Sequence, residues 1–122
     1  MIKQSSTSER RISNRAVVSW KFRGYNKEIS LSGVITNTSS SGCLASFSCL
    51  VNENDKLALR IAAQTDNGLK EINVSAVVKR VITKGQQCFA GLQFRNLLDV
   101  DRRFIDNFVG EWQNAENAIR ES

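Results

Sequence analysis

The stretch Ala16-Val-Val-Ser-Trp-Lys-Phe-Arg23 decides the fold, because apolar side chains alternate along it with polar ones. A period of two is typical of a strand that buries one face. The same alternation returns five times, over residues 29–35, 43–47, 57–61, 72–78 and 88–94. Tight links rich in glycine, asparagine and aspartate connect these stretches. The pattern predicts six short strands in an antiparallel sheet, curled into a small barrel or sandwich.

The period changes after Leu97. Apolar residues then recur at steps of three and four, which is one stripe of an amphipathic helix: Phe104, Ile105, Phe108, Trp112, Ala115 and Ile119. We predict a helix over about residues 100–118, within a C-terminal segment 97–120. Asp99 and Asp101 stand near its start, where carboxylates suit the positive end of the helix dipole. Two roles stay open for the stripe: packing on the sheet, or contact with a partner through its distal part.

The composition predicts a cytoplasmic protein of one domain, residues 1–122, with neither a metal nor a cofactor. No run is long and apolar enough for a membrane span, and the first ten residues lack a signal-peptide core. Histidine is absent, and none of the three cysteines forms a C-x-x-C pair. Cys43 and Cys49, six residues apart in a strand-like run, are predicted to be small core residues.

The positive charge is concentrated at the start of the chain. Residues 1–23 hold six basic residues and one acidic residue, whereas basic and acidic residues balance in the remaining 99, so the net charge of +5 lies in the first 23. This arrangement predicts an anion-binding N-terminal arm, residues 1–15, followed by the strands of residues 16–95.

Two motifs stand about twenty residues apart. Arg11-Ile-Ser-Asn-Arg15 reads R-x-x-x-R, and Asn37-Thr-Ser-Ser-Ser-Gly42 reads N-x-S-x-x-G at a turn between two strands. Together they resemble the signature of the PilZ domain, the bacterial receptor module for cyclic di-GMP. A valine-rich strand ending near Arg80 and a G-L-x-F stretch at Gly91-Leu-Gln-Phe94 extend the resemblance over roughly residues 9–95.

The resemblance implies a six-stranded antiparallel β-barrel with a C-terminal α-helix, and a ligand site on its surface. Arginine forks can grip phosphate oxygens or guanine O6 and N7, and they can stack on a purine, which suits Arg11 and Arg15. Asn37 can accept from guanine N1–H or N2–H, although an aspartate at this position would accept from both donors and add charge. Ser39 adds a small polar group. Gly42 is needed for a positive φ or for a close backbone approach.

Two more arginines are candidates by resemblance. Arg80 lies where some members place a basic residue on the ligand, and a solvated strand position is the alternative role. Arg10 directly precedes R-x-x-x-R, and members with a basic residue there tend to bind an intercalated pair of cyclic di-GMP molecules. We therefore expect two ligands. The family also implies a protein effector, which no residue of the sequence identifies.

Three other functions are alternatives for this sequence. Catalysis is not expected, because histidine, a nucleophile elbow and a phosphate-binding glycine loop are all missing. A small basic barrel could bind single-stranded nucleic acid, but its aromatic residues fall on the face predicted to be buried rather than on an exposed platform. A PilZ-like adaptor without ligand is the third alternative. The motif from Asn37 to Gly42 also has a structural alternative, an Asx-type turn between the second and third strands that stabilises only the fold. The two roles are compatible, because the same turn can hold the ligand.

Overall fold

Six antiparallel strands close into a ring in the computed structural model, which describes residues 15–48 and 50–121. The strands are β1 (Ala16–Tyr25), β2 (Ser30–Ser39), β3 (Gly42–Phe47), β4 (Lys56–Thr65), β5 (Gly68–Lys84) and β6 (Gln87–Arg95). Around the barrel their order is β1-β2-β3-β6-β5-β4, and every neighbouring pair is antiparallel. The predicted mainly β fold is confirmed.

The barrel interior is filled by the side chains that the alternation predicted to be buried. Trp20 and Phe22 of β1 are each 3% exposed, and Ile35 of β2 is fully buried. The Phe22 ring meets the Phe47 ring edge to face, with centroids 6.2 Å apart. Because these side chains occupy the inside, a ligand as large as a dinucleotide has to bind on the outer surface or at an end.

Helix α1 (Asp99–Glu121) packs against the barrel through its first half. Ile105 and Val109 are buried in the same core as the strands. Trp20 packs against the helix, with its ring centroid 5.2 Å from that of Phe108. Its Nε1–H donates to the carbonyl oxygen of Gln64 at 2.9 Å. The helix therefore extends the barrel core rather than standing apart from it.

The two ends of the helix behave differently. Asp101 is buried near the start, and its Oδ1 lies 3.5 Å from Nζ of Lys70 on β5. Ala115 and Ile119 are exposed, so the predicted stripe packs only as far as Trp112, which is partly buried. No helix among the described residues combines the length and the apolarity that a membrane span needs.

Two of the three cysteines are buried free thiols, Cys43 and Cys88. Burial raises the pKa of Cys43 to about 12, while the positive charge of Arg15 acts in the opposite direction. Cys43 is thus a neutral core residue, as predicted. Cys49 lies outside the described residues.

Candidate functional site

Arg15 and Asn37 bring the two sequence motifs together. Arg15 immediately precedes β1, and its Nη1 donates to Oδ1 of Asn37 on β2 at 2.9 Å. Arg15 is exposed and Asn37 is half-buried, so both are accessible from solvent. The juxtaposition follows from the strand pairing, because Ala16 and Val17 at the start of β1 lie opposite Thr38 and Asn37.

A bulge in β2 turns Asn37 outward. Strict alternation would place Asn37 on the same face as Ile35, which is inside the barrel. The register shifts between these two residues, so that Ile35 pairs with Ala45 and Asn37 with Leu44. A bulge of this kind re-aims the side chains that follow it. Asn37 consequently faces outward, while Thr38 takes the buried position.

The turn from β2 to β3 is built by serine and threonine hydroxyls. Ser39 Oγ accepts from the Ser41 backbone N–H at 3.2 Å and lies 2.9 Å from Ser41 Oγ. The buried Thr38 Oγ1 lies within hydrogen-bonding distance of the carbonyl oxygens of Ser39 and Gly42, at 3.1 and 3.3 Å. In this turn the backbone N–H of Ser41 is bound by the side chain of Ser39, and Oδ1 of Asn37 accepts from Arg15.

The backbone of β6 approaches Gly42 closely, whereas the φ of Gly42 is not positive. The glycines of positive φ in the described chain are Gly68 and Gly85. A Cβ at Gly42 would collide with the carbonyl oxygen of Leu92 on β6. Of the two reasons for glycine that the sequence left open, the structure therefore gives the second.

A single row of outward positions crosses five strands from Asn37. Val17 on β1 pairs with Asn37, Asn37 with Leu44 on β3, Leu44 with Gly91 on β6, and Gly91 with Arg80 on β5. Asn37 and Arg80 are thus three strand spacings apart, about 14 Å along the surface.

A second bulge gives Arg80 its place in that row. The β5 register shifts between Val78 and Arg80, so Val78 points into the core and Arg80 is exposed. Gly91 beside it has no side chain to block the surface. The row therefore begins at the exposed apolar side chain of Val17 and passes Asn37 with its partner Arg15. It then crosses the exposed Leu44 and ends at Arg80.

This arrangement has the chemistry for a flat, anionic heteroaromatic ligand. Guanidinium groups can pair bidentately with phosphate or with guanine, and the Asn37 amide can accept from a ring N–H. Val17 and Leu44 offer apolar surface to a base. Sequence reasoning missed them and Thr38, although the alternation of β1 and β3 already placed two apolar residues, Val17 and Leu44, on the polar face.

Not every predicted site residue can be located. Arg10 and Arg11 lie outside the described residues. Arg15, Asn37 and Ser39 cluster at one end of β2, Gly42 supports the turn beside them, and Arg80 lies across the row.

A cleft connects the motif turn with helix α1. It has a volume of about 380 Å³ and is lined by Ser39, Ser40 and Ser41 on one side and by the helix positions Asp106, Val109, Gly110 and Gln113 on the other. Gly110 leaves space because a Cβ there would meet nothing within 4 Å. The turn and the helix are therefore neighbours across a cleft that a change in either would alter.

Comparison with protein families gives one match over most of the chain. The sequence model described as the PilZ domain matches residues 7–111. A sequence comparison with curated proteins finds no significant match.

Solved structures share the fold at low sequence identity. The inhibitor of motility MotI from Bacillus subtilis superposes with a TM-score of 0.74 at 15% identity, covering 83% of this chain and 50% of that one. The PilZ domain of YcgR from Escherichia coli, with c-di-GMP, gives a TM-score of 0.61 at 11% identity, covering 88% and 95%. Apo MrkH from K. pneumonia gives 0.66 at 22% identity, covering 88% and 51%. The chain spans about half the length of MotI and MrkH.

Proposed function

This chain belongs to the PilZ domain family, and from that membership we propose that it is a receptor for cyclic di-GMP that passes the signal to a protein partner. The ligand lies along the outer row from Arg15 and Asn37 toward Arg80. It is bound and released without chemical change, so regulation comes from different binding to two states of the protein.

The hydrogen bond between Arg15 Nη1 and Asn37 Oδ1 is the observation that carries this proposal. It joins the last residue of R-x-x-x-R to the first residue of N-x-S-x-x-G, which are 22 positions apart in the chain. Neither motif is specific alone. Their contact at an exposed position supports one shared binding site.

The ligand adds to this contact or replaces it. The Asn37 carbonyl oxygen has two lone pairs, so it can accept from a guanine N–H while it still accepts from Arg15. Alternatively, the guanine takes over the oxygen and Arg15 turns to a phosphate. In the second case a charge-assisted hydrogen bond forms between Arg15 and the ligand, and such bonds are about twice as strong as neutral ones.

The rest of the row supplies surface and a second positive charge. A purine can lie on Leu44, and the absent side chain at Gly91 leaves room for it, while Val17 offers apolar surface on the other side of Asn37. Arg80 closes the far end of the row. Arg11 is proposed to join from the N-terminal arm, and Arg10 to hold a second, intercalated ligand molecule.

YcgR provides a reference for this proposal, since its PilZ domain has been solved with c-di-GMP on the same fold. The partner that would recognise the ligand-bound surface is not identified by any residue here. We place the receptor in the cytoplasm.

Calorimetric titration with cyclic di-GMP tests the proposal, using wild type, Arg15→Ala and a matched control, Arg103→Ala. Arg103 is exposed on α1, outside the row, and its replacement by alanine removes the same single positive charge. We expect Arg15→Ala to lose at least about 2 kcal/mol, roughly thirtyfold in affinity, with an unchanged melting temperature. Arg103→Ala should bind like wild type.

The stoichiometry tests Arg10 separately. Two ligands for each wild-type chain and one for each Arg10→Ala chain are expected. No binding by wild type would refute the receptor proposal and leave an adaptor without ligand. Equal losses in both arginine variants would show that net charge, rather than the Arg15 contact, determines affinity.

A further inference from the structure

A second surface groove lies on the outer face of β1, β4, β5 and β6. It has a volume of about 1000 Å³ and is open to solvent. Tyr25 pairs with Ala58, Ala58 with Ser75, and Ser75 with Arg95, so these four residues form one row across four strands. The small side chains in the middle make the floor, and Tyr25 and Arg95 make the two walls.

This groove is distinct from the row proposed for cyclic di-GMP. Along β6, Arg95 is four residues beyond Gly91, which is about 13 Å in an extended strand. None of Arg15, Asn37 and Ser39 lines the groove. A variant at one surface can therefore leave the other intact.

Four cationic side chains surround the groove: Lys27, Lys56, Lys79 and Arg95. None of the described residues that line it carries a carboxylate. The ion pairs among the described residues join Arg60 to Glu71 and Lys70 to Asp101. Neither pair includes one of the four groove cations. Such a patch raises the local concentration of anions and their rate of association.

The rim has a fixed backbone. Asn54 and Asn96, with φ of 75° and 58°, are the non-glycine residues of positive φ in the described chain, and both line the groove. The Asn54 backbone N–H donates to the Val78 carbonyl oxygen at 2.7 Å, which holds this loop on the barrel. Uncommon backbone conformations kept by surrounding contacts occur often at binding surfaces.

The chemistry of the groove favours an acidic protein segment over a nucleic acid. Single-stranded nucleic acids need successive aromatic platforms, and Tyr25, 51% exposed, is the one aromatic among the exposed large apolar residues described. The first 14 residues of the chain are themselves basic, with three basic residues and one acidic residue, so charge argues against them as the occupant.

We propose that this groove docks an acidic segment of a partner protein, with its carboxylates on Lys56, Lys79 and the neighbouring cations and an apolar side chain on the floor beside Tyr25. The proposal does not depend on cyclic di-GMP binding. It gives the protein a second interaction surface.

The test uses fluorescence anisotropy of a labelled peptide of three Glu-Leu-Asp-Glu repeats, with the twelve-nucleotide oligo-dT as the competing class. The groove variant is Lys27→Glu with Lys56→Glu, which leaves Lys79, the chain neighbour of Arg80, unchanged. The matched control, Lys21→Glu with Lys84→Glu, changes the net charge equally at exposed positions outside the groove. Urea denaturation checks that both variants fold, and a third protein, Arg15→Ala, checks independence from the nucleotide site.

We expect wild type to bind the peptide at low salt and to lose it as salt rises. The groove variant should bind at least about tenfold more weakly, because two attractions become repulsions, while the control stays within about twofold. Arg15→Ala should keep the peptide, and the groove variant should keep cyclic di-GMP if wild type binds it. No peptide binding by wild type, equal losses in both double variants, loss of the peptide in Arg15→Ala, or tighter binding of oligo-dT through the same lysines would each overturn the proposal.

Discussion

Adding one methyl group at Gly42 or at Gly110 should change stability in opposite directions. At Gly42 the new Cβ collides with the Leu92 carbonyl oxygen and would lie 3.2 Å from the Leu92 carbonyl carbon and 3.3 Å from Gln93 Cα. All three atoms belong to the backbone of β6, so no side-chain rotation can relieve the contact. At Gly110 in the helix, a Cβ meets nothing within 4 Å.

The expected magnitudes follow from these surroundings. Overpacking costs about 1–3 kcal/mol, and a rigid backbone neighbour favours the upper end. Alanine also lowers the conformational entropy of the unfolded chain relative to glycine, which stabilises the folded protein by about 0.4–1 kcal/mol. The net loss in the free energy of unfolding for Gly42→Ala is therefore about 2 kcal/mol. Gly110→Ala should gain about 0.5–1 kcal/mol, because alanine is the better helix former.

Urea and thermal denaturation of the two variants measure the difference. For a domain of this size, 1 kcal/mol corresponds to a shift of roughly 4 °C, so Gly42→Ala should melt about 8 °C lower and Gly110→Ala a few degrees higher. A Gly42→Ala protein with an unchanged midpoint would refute the close approach of β3 to β6 as the reason for this glycine. The requirement would then have to come from the ligand.

Three further outcomes are expected. Asn37→Asp should tighten cyclic di-GMP binding about fivefold, because a carboxylate accepts from both guanine donors and pairs with Arg15; calorimetry showing equal or weaker binding would contradict this. Trp20→Phe should cost about 2 kcal/mol in urea unfolding through loss of the indole donor and of ring contact with the helix, and an unchanged midpoint would argue against Trp20 as the helix anchor. Burial raises the pKa of Cys43 in the folded protein to about 12 from an ordinary value of 9.0, so the stability that the neutral thiol contributes is complete below pH 9 and is lost as pH rises toward 12. Unfolding free energies at pH 8 and pH 10.5 should therefore fall more steeply for wild type than for Cys43→Ala, by at most about 1.4 kcal/mol per pH unit, and parallel slopes would contradict it.

The strands were predictable from sequence because burial in a filled barrel follows the period of two. The inward side chains of β1, such as Trp20 and Phe22, have to be large and apolar, and their outward neighbours face water. The helix was predictable for the same reason, since Ile105 and Val109 fill the core at helical spacing. The sequence left open how far the stripe packs, because apolar periodicity does not show where the packing partner ends, and in the structure Ile119 is exposed.

The orientation of the candidate site residues was not predictable, because it depends on two bulges. Alternation counted from Ile35 would bury Asn37, and alternation counted from Val78 would bury Arg80. A bulge is a property of two paired strands, so a single strand's sequence carries little sign of it. The motif resemblance named these residues, but only the strand registers bring them into one row with Leu44 and Gly91.

The two bulges have a common explanation in the architecture. The interior of this six-stranded barrel is occupied by its own buried side chains, such as those of Ile35 and Val78. Binding then has to use outward positions, and a regular strand offers only every second residue for that purpose. Shifting the register at Asn37 and again at Arg80 turns both polar side chains outward within one row, while Thr38 and Val78 keep the interior closed. The irregular positions of this sheet therefore orient the polar side chains of the candidate nucleotide site, whereas the groove between Tyr25 and Arg95 uses regularly paired outward positions.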